Sequence, residues 1–388
     1  MITGVNSPQA DAVRVLLLSA YDAASHRHWQ REFMAMFPDW HWQVLTLPAR
    51  HFAWRMRGNP LSWALSEADI LRQHYDAVVA TSMVDLATLR GLIPSLGDIP
   101  SLLYFHENQF VYPRSSHAHS SIDVQMVSLY SALAATGLAF NSCYNRDSFL
   151  DGVQQLLKSL PDHIPPGVVD RLRDKAHVLP VPLQADAAAA SQCPSWPGTQ
   201  GELAVRSLRL LWSGRFEHDK GGQSLLLLLQ ALEASGIDYE LAVTGQQFRK
   251  MPAAFDRIES DFSHRLVHFG FVHDEKMLHA LQWASDIILS TADHEFQGLA
   301  VLQAVVRGCL PAVPDRLAYQ EIYPELFRYP SVPSDPTAEA AGAAKLVTQL
   351  EAGLRSETIS APDVSRFSAF ALRPRYQKIM QKLVLSSG

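Results

Sequence analysis

Two cations stand close together where an apolar run ends and a helical pattern begins. The stretch SGRFEHDKGG, residues 213–222, contains Arg215 and Lys220, and Gly214 permits a tight turn before them. A helix N-terminus offers backbone N–H groups and a favourable dipole, to which two cations add charge-assisted hydrogen bonds. These residues predict a seat for a diphosphate. On spacing alone, a surface Arg and Lys flanking a helix start is an equally good interpretation.

A carboxylate occupies a similar position later in the chain. In ADHEFQGLAVLQAV, residues 292–305, Glu295 precedes a helical pattern that starts near Gly298, and Gln303 follows eight residues after Glu295. A carboxylate there could accept hydrogen bonds from sugar hydroxyls, and the glycine would let a phosphate approach the backbone. Gln303 lies about two turns along, so it would reach sideways rather than onto the helix end. Taken alone, this stretch is better interpreted as a Glu295 that favours the helix dipole and a Gln303 that is solvated.

Both stretches follow apolar runs that predict buried strands. Such runs alternate with helical patterns in each half of the chain, and this alternation is typical of a parallel sheet covered on both faces. The predicted strands are VRVLLLS (13–19), WQVLTL (42–47), AVVAT (77–81), SLLYF (101–105), GLAFN (137–141), LRLLWSG (208–214), YELAVTG (239–245), RLVHFG (265–270), DIILST (286–291) and CLPAV (309–313). Ligand groups are expected on loops at the carboxyl ends of these strands.

The length of 388 residues favours two domains, because one hydrophobic core rarely extends beyond about 250–300 residues. The predicted domains are 1–183 and 208–360. The residues between them, 184–207, show no sustained hydrophobic periodicity and are predicted to form a linker. A closing helix is predicted at 361–388, in which Pro374 is a candidate interruption. The predicted fold is α/β, with two doubly wound Rossmann-like domains facing each other across a cleft. A two-domain dehydrogenase would share this pattern, but SAYDAASH follows the first strand where a G-x-G-x-x-G would be expected.

Composition excludes several classes of protein. The formal net charge of -6 does not suggest a surface coated in basic charge, although a local basic patch is compatible with it. The three cysteines show neither zinc-site spacing nor a disulfide framework, which favours a reducing cytoplasm. No apolar run reaches about 18 residues, so a membrane span is not predicted. The HAH at 117–119 lacks a helical i, i+4 pair and a cysteine partner, so no metal site is predicted.

The first half carries its own candidate site residues. His106 follows a predicted strand in YFHENQ, and Ser25 and His26 stand at a helix start after the first strand. Asn141 and Ser142 end a further strand and are candidates for the same cleft. A histidine can hydrogen-bond a hydroxyl or help with charge near neutral pH. Without further context, His106 is more simply interpreted as a structural histidine.

The stretch LPARHFAWRMRGNP, residues 47–60, interleaves basic and aromatic side chains. Arg50, Trp54, Arg55 and Arg57 would suit RNA phosphates and unstacked bases. A solvated loop with Trp54 tucked into the core is an equally good interpretation of the composition.

Six long motifs resemble one family. SAYDAASHRHW, LPARHFAWRMR, LLYFHENQFVYP, FNSCYNRDSFL, RFEHDK and TADHEFQGLAVLQAV are similar, in that order and along nearly the whole chain, to the tRNA-queuosine α-mannosyltransferases. These belong to the retaining GT-B glycosyltransferases, which share the pattern of GRF and Lys followed by E-F-x-G. The resemblance implies transfer of mannose from GDP-mannose to the cyclopentene-diol of queuosine in tRNA-Asp, in the cytoplasm, without a metal or other cofactor. It leaves the oligomeric state open.

The resemblance also implies roles for individual residues. Arg215 and Lys220 would hold the diphosphate, Glu295 the sugar hydroxyls, and His106 would face the donor sugar; these four are the predicted catalytic residues. Gln303 departs from the family, which has an acidic residue there for the ribose diol, so nucleotide preference is an open question. The implied donor site comprises Gly214, Arg215, Lys220, Glu295, Gln297, Gly298, Leu299 and Gln303. The implied acceptor or cleft residues are Ser25, His26, Arg50, Trp54, Arg55, Arg57, Glu107, Asn108, Asn141 and Ser142.

Two rival functions remain at the level of sequence. One is a GT-B glycosyltransferase that uses another nucleotide sugar, a small molecule or a glycan. The other is an RNA-binding module that has lost catalysis, for which Gln303 is the best argument. The sequence contains no D-x-D motif, which disfavours a metal-held nucleotide sugar. Cations and helix amides would instead stabilise the leaving diphosphate.

Overall fold

A computed structural model describes residues 12–111, 122–183, 195–203 and 205–385. The chain divides into two compact units. The first contains the described residues up to Pro182 together with those from Leu372 onward, and the second spans Leu183–Ala371. None of the described helices is both long and apolar enough to cross a lipid bilayer.

The first unit is built on six parallel strands. The strands are β1 (Arg14–Asp22), β2 (His41–Pro48), β3 (Ala77–Thr81), β4 (Ser101–Phe105), β5 (Gly137–Phe140) and β6 (Ala176–Val178), in the sheet order β2-β1-β3-β4-β5-β6. The helices between them are α1 (Ala24–Ala35), α2 (Phe52–Ser66), α3 (Ala68–Leu71), α4 (Leu86–Leu92), α5 (Ile122–Ala134), α6 (Cys143–Ser159) and α7 (Val168–Asp174). Strands β3 and β4 are buried at every position, which explains their continuous apolar sequences.

The second unit has a second six-stranded parallel sheet. Its strands are β7 (Leu208–Ser213), β8 (Tyr239–Thr244), β9 (Leu266–Gly270), β10 (Ile287–Leu289), β11 (Leu310–Pro314) and β12 (Arg328–Tyr329), in the order β12-β11-β10-β7-β8-β9. Its helices are α8 (Gly222–Ser235), α9 (Ala253–Asp261), α10 (Glu275–Ala284), α11 (Leu299–Val306), α12 (Tyr319–Ile322) and α13 (Pro336–Arg355). The predicted α/β class with two doubly wound sheets is confirmed.

The structure differs from the sequence-based prediction at the shortest strands, in the linker and in the closing helix. Strands β6 and β12 have three and two residues, too few to produce a readable apolar run. The described end of the predicted linker is anchored, because Trp196 is buried and its Nε1 donates to Glu240 Oε2 at 2.6 Å. The closing helix α14 (Ala369–Leu385) continues through Pro374, the candidate interruption, and it belongs with the first unit from Leu372 onward.

Candidate active site

Strand order in the second sheet creates a place for a ligand. Strands β7 and β10 are neighbours, and the chain leaves β7 toward β8 on one side and β10 toward β11 on the other. At such a reversal of strand order the loops at the carboxyl ends of the two strands diverge and leave a crevice, in which ligands of doubly wound sheets bind. The two loops are Gly214–Gly221 and Ser290–Gly298, and they carry both charged stretches singled out in the sequence.

These two loops are joined by hydrogen bonds. The Asp219 carbonyl accepts from the backbone N–H groups of Asp293 and His294 at 3.0 and 3.2 Å. The Thr291 hydroxyl donates to the Lys220 carbonyl at 3.1 Å. A Cβ on Gly221, whose φ is 69°, would lie only 1.8 Å from the Thr291 carbonyl oxygen, so only glycine permits this close approach. The loops therefore form one preorganised platform.

Lys220 and Glu295 meet at the centre of the platform. Lys220 Nζ lies 3.3 Å from Glu295 Oε2 and 3.2 Å from Asp219 Oδ2, and it donates to the His294 carbonyl at 3.0 Å. Burial acts to raise the pKa of the Glu295 carboxyl, but Lys220 and the N–H groups of Gly298 and Phe296 outweigh it, so the pKa lies below its usual value. Glu295 is therefore ionised at neutral pH, and 24% of its side chain is exposed to solvent.

Two side chains that sequence reasoning missed, partly buried Arg316 and buried Tyr319, support this platform. Arg316 donates from Nε to the Ala292 carbonyl at 3.0 Å and pairs with Glu339 at 2.7 Å, which anchors the loop after β10 to α13. The ring of buried Tyr319 packs beneath Gly298, where a Cβ would lie 2.7 Å from Tyr319 Cε1. No local motif marks Arg316 or Tyr319, because each acts through residues about twenty positions away.

The other predicted donor residues lie on or beside the same two loops. Arg215 is 40% exposed and 3.1 Å from Glu217, so its guanidinium is less constrained than the Lys220 ammonium. Gly298 is the N-cap of α11 and Leu299 its first residue, and the first-turn N–H groups of a helix lack partners within the helix. Gln297 is buried just before this cap, whereas Gln303 is partly buried on the second turn of α11. Gly214 follows β7 directly.

In the first unit, two histidine rings stack at the carboxyl edge of the sheet. His26 from the start of α1 and His106 after β4 have ring centroids 4.0 Å apart and are 17° from parallel. His26 Nε2 lies 3.5 Å from Glu107 Oε2. Among the described residues, His26 Nδ1 and His106 Nε2 are buried without a hydrogen-bond partner. Burial, followed by the nearby His26 and His28, lowers the pKa of His106 well below its usual value, so His106 is neutral at physiological pH and could hydrogen-bond a hydroxyl.

Three predicted acceptor residues form a hydrogen-bonded support for this edge. Asn141 Nδ2 donates to the His106 carbonyl at 2.8 Å, and Asn108 Nδ2 donates to Asn145 Oδ1 at 2.9 Å. Ser142 caps α6, because its Oγ accepts from the Asn145 N–H at 3.0 Å. All of these side chains are buried. This arrangement favours a positioning role for Asn108, Asn141 and Ser142 over the predicted acceptor contact. Ser25, by contrast, is exposed in the first turn of α1.

The side chains of the basic and aromatic stretch 47–60 differ in their exposure, because helix α2 turns some of them toward solvent and one into the protein. Arg50 is exposed before α2, and Arg57 on α2 exposes 57% of its side chain while pairing with Asp85 at 3.2 Å. Arg55 is buried and donates from Nε to the Pro48 carbonyl, so it supports the fold rather than offering a free guanidinium. Trp54 is 52% exposed, which excludes the interpretation that it is tucked into the core.

No group of three or more His, Cys, Asp or Glu side chains in the described part of the chain could hold a metal ion. The HAH at 117–119 lies outside the described residues.

Residues 14–183 match the family described as the N-terminal part of tRNA-queuosine alpha-mannosyltransferases. A Drosophila melanogaster protein of that name is 34% identical over 284 residues, which cover 73% of this chain and 74% of the fly protein. The chain belongs to the tRNA-queuosine α-mannosyltransferase family. The resemblance found in the sequence motifs is thereby confirmed.

Solved structures share the two-domain fold. A trehalose-phosphate synthase from Burkholderia vietnamiensis has a TM-score of 0.67 at 12% identity, with 97% of this chain and 98% of that chain covered. A glycosyltransferase from Rickettsia africae has a TM-score of 0.61 at 14% identity, with 96% and 99% covered. A lipopolysaccharide outer core galactosyltransferase has a TM-score of 0.61 at 9% identity, with 95% and 100% covered. The fold is that of the GT-B enzymes. Membership of the tRNA-queuosine α-mannosyltransferase family shows that the chain is a glycosyltransferase.

Proposed function

We propose that this protein transfers mannose from GDP-mannose to the cyclopentene-diol of queuosine in tRNA-Asp, with retention of the anomeric configuration. The binding of a nucleotide-sugar donor is supported by the platform on which Lys220 and Glu295 meet, at the crevice beside strands β7 and β10. Membership of the family supports the sugar and the acceptor, because the fly relative is named for mannose and for queuosine in tRNA. A tRNA acceptor also favours a cytoplasmic enzyme.

The second unit supplies both parts of a nucleotide-sugar site. Lys220, Arg215 and the first-turn amides of α11 present positive charge, which matches a diphosphate. The ionised Glu295 beside them accepts hydrogen bonds from sugar hydroxyls. Gln303 would hydrogen-bond the ribose as a neutral amide, which can both donate and accept.

The first unit supplies groups suited to a nucleoside in RNA. The unpartnered ring nitrogens His26 Nδ1 and His106 Nε2 suit a hydroxyl-rich ligand, because an imidazole nitrogen can form one hydrogen bond to a hydroxyl. Trp54 offers an exposed indole on which an unstacked base can stack, and Arg50 and Arg57 offer exposed guanidinium groups for phosphates.

The chemistry follows from this charge distribution. The bond between the sugar C1 and the β-phosphate oxygen breaks, and its electron pair leaves with GDP. An acceptor hydroxyl oxygen forms the new bond to C1 on the same face and passes its proton to the leaving phosphate. Lys220, Arg215 and the α11 amides stabilise the charge that develops on the diphosphate, so the reaction needs no metal.

The test is incubation of the purified protein with GDP-mannose and queuosine-containing tRNA-Asp, followed by mass spectrometry of the nucleosides. We expect one hexose to be added to queuosine, with the same yield in the presence of a chelator. Parallel reactions use UDP-glucose or UDP-galactose, tRNA without queuosine, and the free nucleobase. Glu295→Gln should abolish transfer, whereas Glu351→Gln, a control on α13, should not.

Transfer from a UDP-sugar in preference to GDP-mannose would overturn the donor assignment. Transfer to a small molecule but not to tRNA would overturn the acceptor assignment. Tight tRNA binding without transfer from any donor would favour a binding module over an enzyme of this specificity.

A further inference from the structure

Helix α14 concentrates positive charge in a chain of net negative charge. Its 17 residues include Arg373, Arg375, Lys378 and Lys382 and no acidic residue, whereas the whole chain has 39 acidic and 33 basic residues. All four cations are exposed. The spacing of Arg375, Lys378 and Lys382 by three and four places them along one side of the helix, over roughly 10 Å at 1.5 Å per residue.

The basic face of α14 lies away from the side of the helix that packs in the core. Leu372, Tyr376, Met380 and Leu383 form the buried side of α14. The outer side has a groove of about 550 Å³ lined by Pro374, Gln377, Lys378, Gln381, Lys382 and Leu385. Two lysines and two glutamines thus border the groove together with one proline and one leucine.

Helix α14 packs beside strand β6. Burial, and then the charges of Lys382 and Lys378, lower the pKa of His177 on this strand. Arg375 Nη2 donates to the Val178 carbonyl and fixes the helix against the same strand. The basic surface therefore has a fixed position on the first unit.

Side-chain contacts connect this helix to the candidate acceptor residues. Trp29 Nε1 donates to the Tyr376 hydroxyl at 3.1 Å, and the Trp29 ring meets His106 edge-on with centroids 5.0 Å apart. One layer of buried side chains thus separates α14 from the His26 and His106 pair.

We propose that the exposed basic face of α14, formed by Arg375, Lys378 and Lys382, binds the phosphate backbone of the tRNA outside the modified nucleoside. This inference rests on the proposed function, because it assumes an RNA acceptor. Cations interleaved with glutamines match a polyanion that is read by its backbone rather than by its bases. An anionic membrane fits less well, because an interfacial helix needs an apolar face to insert and α14 buries its apolar face in the fold.

The test compares Lys378→Glu/Lys382→Glu with the matched control Lys276→Glu/Lys345→Glu, which reverses two exposed cations on α10 and α13. We expect the first double variant to bind whole tRNA at least tenfold more weakly. The slope of log affinity against log salt should fall by about 1.4–1.8, since each lost phosphate contact removes roughly 0.7–0.9. Turnover of a minimal anticodon stem-loop should be unchanged, and the control should resemble the wild type in every assay.

Lys378→Gln/Lys382→Gln serves as a second variant that removes charge without reversing it. Its melting temperature, compared with that of the wild type, verifies folding. Equal tRNA affinity and equal salt slope in wild type, test variant and control would overturn the proposal, as would α14-dependent binding to phosphatidylserine vesicles with unchanged tRNA binding. Failure of the proposed function can be distinguished from failure of this inference. In the first case the wild type would transfer sugar to neither whole tRNA nor the stem-loop, whereas the tRNA affinities of wild type and variants could still be compared.

Discussion

Replacing Lys220 by Met should damage both the fold and the donor site. The ammonium contacts three oxygen atoms, of the His294 carbonyl, Asp219 and Glu295, at 3.0–3.3 Å. The Lys220 and Glu295 side chains are 17% and 24% exposed, so solvent screens the pair only partly. A hydrogen bond to a charged group contributes about 1.5–3 kcal/mol, and the substitution leaves two carboxylates close together without their cation.

We therefore expect the free energy of unfolding to fall by about 1.5–3 kcal/mol. For a unit of this size, that corresponds to a decrease in melting temperature of roughly 3–12 °C. The affinity for GDP should fall by a similar free energy, or about 10- to 150-fold. Differential scanning calorimetry and isothermal titration with GDP and UDP measure the two effects. Lys345→Met, at an exposed position on α13, is the matched control.

The pH dependence gives an independent readout. In the wild type, the lowered pKa of Glu295 contributes stability that is present above its unfolded pKa and is lost as pH falls through the lower folded pKa. In Lys220→Met, burial would dominate and raise that pKa above its unfolded value. The sign of the dependence then reverses, so the contribution of Glu295 to stability should increase as pH falls through this window. Equal melting temperatures, acid profiles and nucleotide affinities in Lys220→Met and Lys345→Met would contradict these roles of Lys220.

Three further predictions concern single positions. Gln303→Glu should leave the melting temperature unchanged and retain or tighten GDP binding, because a carboxylate accepts from both ribose hydroxyls; weaker binding in a titration would contradict the ribose assignment. Gly298→Ala should lower the free energy of unfolding by about 1–3 kcal/mol in denaturant titrations, because φ is 72° and the new Cβ would meet the Tyr319 ring; an unchanged midpoint would contradict this. His106→Asn should reduce the stability loss on acidification, because the folded pKa of His106 lies below its unfolded value and stability therefore falls as pH drops from about 7 through that window, at up to about 1.4 kcal/mol per pH unit; identical acid slopes would refute it.

The sequence was sufficient to locate most strands and both loops of the platform that we propose binds the donor. Strands such as β3 and β4 are buried on both faces, so they appear as unbroken apolar runs whose limits can be read directly. The platform residues Lys220 and Glu295 were visible because a charge beside a glycine at a strand end is a local feature. Long motifs then indicated the family, which the fly relative confirms.

Only the tertiary structure decided which of these polar groups are available to a ligand. Arg50, Arg55 and Arg57 are equivalent in the sequence, but the turn of α2 buries Arg55 against the Pro48 carbonyl and leaves the other two exposed. The pairing of Lys220 with Glu295, 75 positions apart, depends on the neighbouring placement of β7 and β10. Strand order and hydrogen-bond partners arise from packing between distant segments, whereas apolar periodicity reports only whether a residue is buried. The sequence by itself therefore determined the elements and the chemistry of their ends, and the packing determined which of those ends meet.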